Sequence, residues 1–315
     1  MMQTRMFGTT GLRVSAIGLG AWQLGRSAQW HDGPDPDEAV RIVHTALDAG
    51  VNLIDTAPGY ADGTSERNIG RALTGRRRDE TIICTKVGYF PDGSPNWGSD
   101  AIEESIEQSA RRMNVDHVDI VVLHNPPPEI LDGTRSDHYQ VLQRLQDKGV
   151  IRAYGTSVDW GADIDTVLTT SDSNALEVRL SALYQEPWEA MGRAHERGVG
   201  TIIKVPLESG WLSGRYDAQS VFTDVRDRWS REDVALRAAL VDDLRALLPE
   251  GVSLFEGALR FLLGYDAVST VIPGSKSVAQ LRASIAAAQL PLPTETYDAI
   301  RSWYAARLAD RPLDW

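Results

Sequence analysis

The sequence has a single cysteine, Cys84, so no disulfide can form within the chain and its core must hold the fold unaided. One thiol in 315 residues also fits a reducing compartment. Positive charge is the scarcer sign: 32 lysines and arginines stand against 44 aspartates and glutamates, a net charge of −12. Nucleic-acid binders and proteins of anionic membrane surfaces need a basic footprint, so neither partner is expected. One anion held in a local basic pocket remains compatible. No apolar run is long enough to span a bilayer, and the N-terminal stretch MMQTRMFGTTGL lacks an apolar signal core. A soluble, cytoplasmic protein is expected, with its oligomeric state open. Histidines 31, 44, 117, 138 and 195 show no paired ligand spacing on a common face, so no metal is expected. The stretch GLGAWQ (18–23) lacks the third glycine of a dinucleotide-binding fingerprint, and no helix opens there. There is no linker, low-complexity tract or internal repeat, so residues 1–315 read as one domain.

What is present is an alternation. A hairpin turning at Thr10-Gly11 is followed by a strand through Ile17. Further strands are expected at 52–54, 81–87, 118–123, 151–156, 175–180, 200–205 and 268–272. Helices are expected at 37–48, 65–74, 100–113, 135–148, 161–169, 187–197, 230–247, 253–263, 277–288 and 294–308. The strands are short, apolar and rich in β-branched residues, as buried parallel strands are. Eight such units in this length fit a closed (β/α)8 TIM barrel with an N-terminal β-hairpin and extra C-terminal helices. The rival is a doubly wound open sheet. The barrel is preferred because candidate polar residues follow several successive strands, not one switch point.

Those residues stand in a pattern. The second strand ends on Asp55, and the turn after it delivers Tyr60. The third reads Ile82-Ile83-Cys84-Thr85-Lys86, which puts Ile82, Cys84 and Lys86 on one face. A lysine near the end of an apolar strand is a costly buried charge unless paired. The fourth runs into His124 before Asn125-Pro126. Together these types suit one proton-transfer device. A free phenol, with a pKa of about 10, is a poor acid at neutral pH, and a nearby ammonium lowers that value. Asp55 would hold Lys86 charged, and His124 could donate a hydrogen bond to a carbonyl oxygen. Reducing a carbonyl also needs a hydride, which no side chain supplies, so a nicotinamide cofactor is implied.

The chain resembles the aldo-keto reductase family over essentially its whole length. The motifs are GLGAW (18–22), NLIDTAPGY…SE..IG (52–70), TKVG (85–88), DHVDIVVLHNP (116–126), GVIRAYGTS (149–157), KVPLESGWLSGRY (204–216) and STVIPGSKSVAQL (269–281), in order. The resemblance implies NAD(P)H-dependent reduction of a small-molecule aldehyde or ketone. In it Tyr60 is the acid, Asp55 and Lys86 tune it, and His124 orients the substrate. It implies a cofactor pocket of Gly20, Asp55, Ser157, Glu177, Lys204, Val205, Leu207, Ser209, Gly274, Ser275, Lys276, Gln280 and Ser284. Lys276 is the expected partner of a 2′-phosphate, which favours NADP(H) over NAD(H). Four positions depart from the family pattern. Val158 stands for the Asn beside the amide-holding serine, and Glu177 for the Gln of the same grip. Lys204 replaces an aromatic that stacks on nicotinamide, and Ser284 replaces an adenine-holding Asn. Trp22 and Tyr89, with His124 and Asn125, are expected to line the substrate pocket.

Taken singly these residues have plainer readings. Lys86 alone would be an ion-paired or snorkelling lysine, His124 a satisfied loop histidine, Tyr60 a packing residue and Cys84 a small core residue. Trp97 divides evenly between pocket wall and packing, and Trp303 and Tyr304 read as core. The run Arg76-Arg77-Arg78 reads as a solvated loop. Three functional rivals remain. The chain could be a sugar or alcohol dehydrogenase of the same chemistry, a cofactor-binding regulatory barrel such as the family's channel-associated members, or a lyase using Lys86.

Overall fold

The computed structural model describes residues 2–27, 30–75 and 78–313. Arg76 and Arg77, read above as solvated loop, lie outside the described residues. The hairpin pairs β1 (Thr4–Met6) with β2 (Arg13–Ser15), Met6 opposite Arg13. The main sheet has eight parallel strands in chain order. They are β3 (Leu19–Gly20), β4 (Leu53–Asp55), β5 (Ile82–Val87), β6 (Ile120–His124), β7 (Ala153–Val158), β8 (Ala175–Arg179), β9 (Gly200–Lys204) and β10 (Thr270–Val271). Parallel bridges Ile17–Val271 and Gly20–Gly274 join the first strand to the last and close the barrel.

Outside lie α1 (Pro36–Asp48), α2 (Thr64–Leu73), α3 (Ile102–Met113), a single turn α4 (Pro128–Leu131), α5 (His138–Asp147), α6 (Gly161–Thr170), α7 (Trp188–Glu196), α8 (Arg231–Ala246), α9 (Leu254–Leu263), α10 (Val278–Ala287) and α11 (Thr294–Arg307). Their starts follow local chemistry. Asp35 caps α1 ahead of Pro36, and Ser253 with Glu256 forms a capping box on α9. The turn α4 is absent from the sequence reading. Pro128 sits at its first position, where a missing N–H costs nothing, so the proline run opens a turn instead of only ending a strand. Strand ends also move. Asp55 and His124 are the last residues of β4 and β6, so their backbones are fixed by the sheet.

Side-chain alternation divides the core in two. Ile54, Ile83, Val121, Leu123, Tyr154, Leu176, Val178 and Ile203 face outward and pack under the helices. Leu53, Ile82, Cys84, Ile120, Val122, Ala153, Ala175 and Ile202 face inward and fill the barrel, with Phe7, Leu12 and Val14 of the hairpin region in the same cluster. On the inward face the chain is apolar first and polar later. Leu53 precedes Asp55, Cys84 precedes Lys86, Val122 precedes His124, Ala153 precedes Ser157, Ala175 precedes Glu177 and Ile202 precedes Lys204. Parallel strands put every one of those later residues at the same end.

Candidate active site

Lys86 is fully buried inside the barrel. Its ammonium donates to Asp55 Oδ1 at 2.7 Å and Oδ2 at 2.6 Å, and to the Thr56 carbonyl at 3.2 Å. It also lies 2.8 Å from Glu177 Oε2, which reaches in from β8. Both carboxylates are 2% exposed. So the three ammonium donors are taken by the two Asp55 oxygens and the Thr56 carbonyl, and Glu177 Oε2 is a close charge with no hydrogen-bond partner among the described residues. Glu177 was expected in a cofactor grip. Here it lies beside Lys86 as a second carboxylate, because strand alternation turns it into the same polar layer. Asp55, Cys84 and Glu177 bring ligand atoms within 4.8 Å of one another. The Lys86 ammonium already answers both carboxylates, so their proximity is explained as an ion cluster.

Tyr60 stands over this cluster, its ring centroid 5.3 Å from the Lys86 nitrogen. Its phenol is pushed above the ordinary tyrosine value, chiefly by burial. Lys86 opposes the rise, and the charges of Asp55 and Glu177 add to it. That corrects the sequence expectation of a phenol made acidic by ammonium. The ammonium acts in the expected direction, but burial and a second carboxylate outweigh it. Burial also pushes the Asp55 carboxyl up to about 7, with Glu177 reinforcing the rise and Lys86 opposing it. Cys84 is held as a thiol by burial.

His124 meets Tyr60 edge-on, with ring centroids 6.0 Å apart. Burial, and then the charges of Lys86 and Lys204, holds its imidazole well below the usual pKa, so it is neutral near pH 7. Tyr89 packs edge-on against His124 at 5.5 Å and against Trp97 at 5.4 Å. This aromatic wall requires Gly88. Its φ is +119°, and a Cβ there would collide with the Trp97 ring. Trp97 is thus both wall and packing. Trp22 stacks obliquely on Trp30 at 4.8 Å.

A second polar group lies beside the first. Lys204 donates to Asn125 Oδ1 and Ser157 Oγ, each at 2.8 Å, and pairs with Asp159 at 2.9 Å. Ser157 Oγ donates to Asn125 Oδ1 at 2.9 Å, and Asn125 Nδ2 to Asp159 at 3.1 Å. Asn125, expected at the substrate, and Ser157 and Lys204, expected at the nicotinamide, therefore form one network. All three ammonium donors of Lys204 are engaged. Asp159 is missing from the sequence reading. The available signal was an acid two residues beyond Ser157, at the end of the same strand.

The remaining pocket residues gather around β3, β9 and β10. A Cβ on Gly20 would lie 2.6 Å from the Ile272 carbonyl, and one on Gly274 2.9 Å from the Gln23 side chain. The segment after β9 is bent at Val205, Glu208 and Ser209, with φ of +55°, +47° and +51°. Half-buried Leu207 lies between the bends. Ser275 is fully buried, and its hydroxyl has no hydrogen-bond partner among the described residues. Lys276 lies 4.5 Å from the Trp30 ring centroid and 3.4 Å from Asp32. Trp30 and Asp32 are absent from the sequence reading. A buried unpaired hydroxyl beside a lysine fits a phosphate-bearing cofactor. The first turn of α10 has much of its hydrogen bonding engaged. The Val278 N–H donates to Glu38 and the Gln280 N–H to Ser277 Oγ, while Gln280 Oε1 accepts from the Lys276 N–H. Ser284 is buried, and its hydroxyl donates back to the Gln280 carbonyl.

The family model described as the aldo/keto reductase family matches residues 16–305. Among solved structures, the aldo-keto reductase AKR11C1 from Bacillus halodurans in its holo form is 30% identical, with a TM-score of 0.80 over 96% of each chain. An uncharacterized oxidoreductase of Bacillus subtilis, YqkF, is 28% identical over 93% of this chain and 94% of its own. L-galactose dehydrogenase of Arabidopsis thaliana is 28% identical over 91% of this chain and 88% of its own.

Proposed function

The chain belongs to the aldo-keto reductase family and is an NAD(P)H-dependent oxidoreductase, and from that premise we propose that it reduces an aldehyde or ketone to an alcohol with NADPH. The observation that carries the proposal is the meeting of Asp55, Tyr60, Lys86 and His124 at one end of the barrel. When bound, a reduced nicotinamide supplies the hydride. Tyr60 gives its phenolic proton to the carbonyl oxygen as that oxygen gains charge. Lys86 stabilises the phenolate left behind, and Asp55 keeps Lys86 charged and in place. His124 is neutral, so it can donate one ring N–H to the carbonyl oxygen without bringing a charge. Trp22, Tyr89 and Trp97 give the mouth an aromatic wall, which suits a small carbonyl compound and excludes water. Ser275 and Lys276 would hold the cofactor phosphates, while Gly20 and Gly274 let the segments after β3 and β10 pack closely beside them.

The reverse direction is the second reading, favoured by the likeness to a plant sugar dehydrogenase. One preparation tests both. NADPH and NADH are titrated into the purified protein, then a panel of aldehydes and ketones is assayed for reduction and a panel of sugars and alcohols for oxidation. Tight NADPH binding with faster carbonyl reduction supports the proposal. Efficient oxidation with little reduction supports the dehydrogenase reading. No cofactor binding would refute both.

A further inference from the structure

One carboxylate would balance the charge of Lys86; this site has two. Lys86 Nζ is clamped between Asp55 of β4 and Glu177 of β8, at 2.6 and 2.8 Å, and all three side chains are buried. Fully ionised, the cluster would carry one net negative charge directly beneath Tyr60. Low-dielectric surroundings make that charge expensive, and the cheapest remedy is to keep a proton. We propose that Glu177 is a positioning residue for the proton step, which makes the Asp55–Lys86–Glu177 cluster a store of one exchangeable proton behind Tyr60. The proposal deepens the reductase reading and rests on it.

The environment of the pair supports a store and not a simple salt bridge. The ionisable groups facing it are Tyr60 from the loop after β4, Cys84 and Lys86 from β5, His124 from β6, Arg179 further along β8 and Lys204 from β9. Cys84 stays a thiol and His124 stays neutral, so neither neutralises the extra carboxylate. Arg179 is turned to Glu208 at 2.7 Å, and Lys204 to Asp159 at 2.9 Å. Among the described residues only Lys86 pairs with both acids. Burial pushes the Asp55 carboxyl up to about 7, and the second carboxylate adds to that push.

The consequence is a defined proton balance. In reduction the carbonyl carbon gains a hydride from the reduced nicotinamide, and its oxygen gains the Tyr60 proton. Lys86 returns a proton to the phenolate, the Asp55 carboxyl returns one to Lys86, and solvent recharges the carboxyl. Below about pH 7 the store is full and the cluster is neutral, so phenolate can form over it. Above that value the store is empty, the cluster is negative and phenolate formation is opposed. Reduction should fall as pH rises through neutrality.

Glu177→Gln removes the charge but keeps the shape. The experiment compares wild type, Glu177→Gln and Glu177→Asp in two ways. One is the carboxylic-acid C=O infrared band of the resting protein against pH, which needs no turnover. The other is kcat and KM for carbonyl reduction against pH. Wild type should show a carboxyl titrating near neutrality and a kcat about tenfold lower at about pH 8 than at about pH 6. Glu177→Gln should lose the near-neutral carboxyl and flatten the kcat profile, with KM changed less than about twofold. Glu177→Asp keeps the charge and should keep the limb. The proposal is overturned if no carboxyl titrates near neutrality in wild type. It is equally overturned if the band or the limb survives unchanged in Glu177→Gln. If no carbonyl is reduced but the infrared titration behaves as stated, the proton store stands and the reductase reading fails.

Discussion

Lys86 shows what a single residue costs and gains here. A lone ammonium at its depth would cost several kcal/mol, which the short bonds to Asp55 and the close charge of Glu177 offset. Asp55→Ala removes the bonds to both Asp55 oxygens and leaves Lys86 with Glu177 and the Thr56 carbonyl. It is expected to destabilise the fold by about 3 kcal/mol, read from chemical denaturation. The Asp55 carboxyl lies above its unfolded value, so folding takes up a proton. Its contribution to stability is complete below the unfolded value of about 4 and is lost as pH rises towards about 7, with a slope of at most about 1.4 kcal/mol per pH unit. Denaturant midpoints at about pH 5 and about pH 8 should reveal that loss, and it should shrink in Glu177→Gln. At the cofactor end, Lys276→Ala should weaken NADPH more than NADH, because only NADPH carries a 2′-phosphate for the ammonium to meet. Equal losses, measured by titration, would remove Lys276 from that role.

At the scale of elements, the loop after β5 and the N-terminal hairpin make separable contributions. Gly88 holds a left-handed conformation under the Trp97 ring. Gly88→Ala must therefore disturb the Tyr89–Trp97 wall, costing about 1–3 kcal/mol and raising KM for a carbonyl substrate more than it lowers kcat. Phe7 is fully buried in the inner cluster, away from the polar layer. Phe7→Ala should cost about 3–5 kcal/mol in a denaturation series while leaving kcat within about twofold. A large loss of kcat in the folded variant would show that the barrel floor and mouth are coupled. These elements were largely readable from the chain. The hairpin, the eight parallel strands and the ten longer helices all follow from period, β-branching and turn residues. The turn α4 was not, because a proline run reads equally as a break or as a helix start.

At the scale of the molecule, the sequence made the mouth's membership legible but not its connections. Alternation along β5 put Lys86 inside, and the motif order assigned Asp55, Tyr60 and His124 to the same end. Which acid faces which base depends on barrel closure, and closure is a non-local property. That is why the pairing of Glu177 with Lys86, and of Asp159 with Lys204, cannot be read from the chain alone. The same non-locality misled the expectation for Tyr60. Proximity to Lys86 was inferable, but the depth of burial and the second carboxylate were not.

The central claim is that Tyr60 delivers the proton that accompanies hydride transfer at this mouth. The most direct measurement is NADPH consumption with a carbonyl substrate by wild type and by Tyr60→Phe, alongside NADPH binding to both. The expected result is turnover by wild type, a loss of at least about 100-fold in kcat for Tyr60→Phe, and NADPH affinity within about threefold. Turnover by Tyr60→Phe at the wild-type rate would contradict the account.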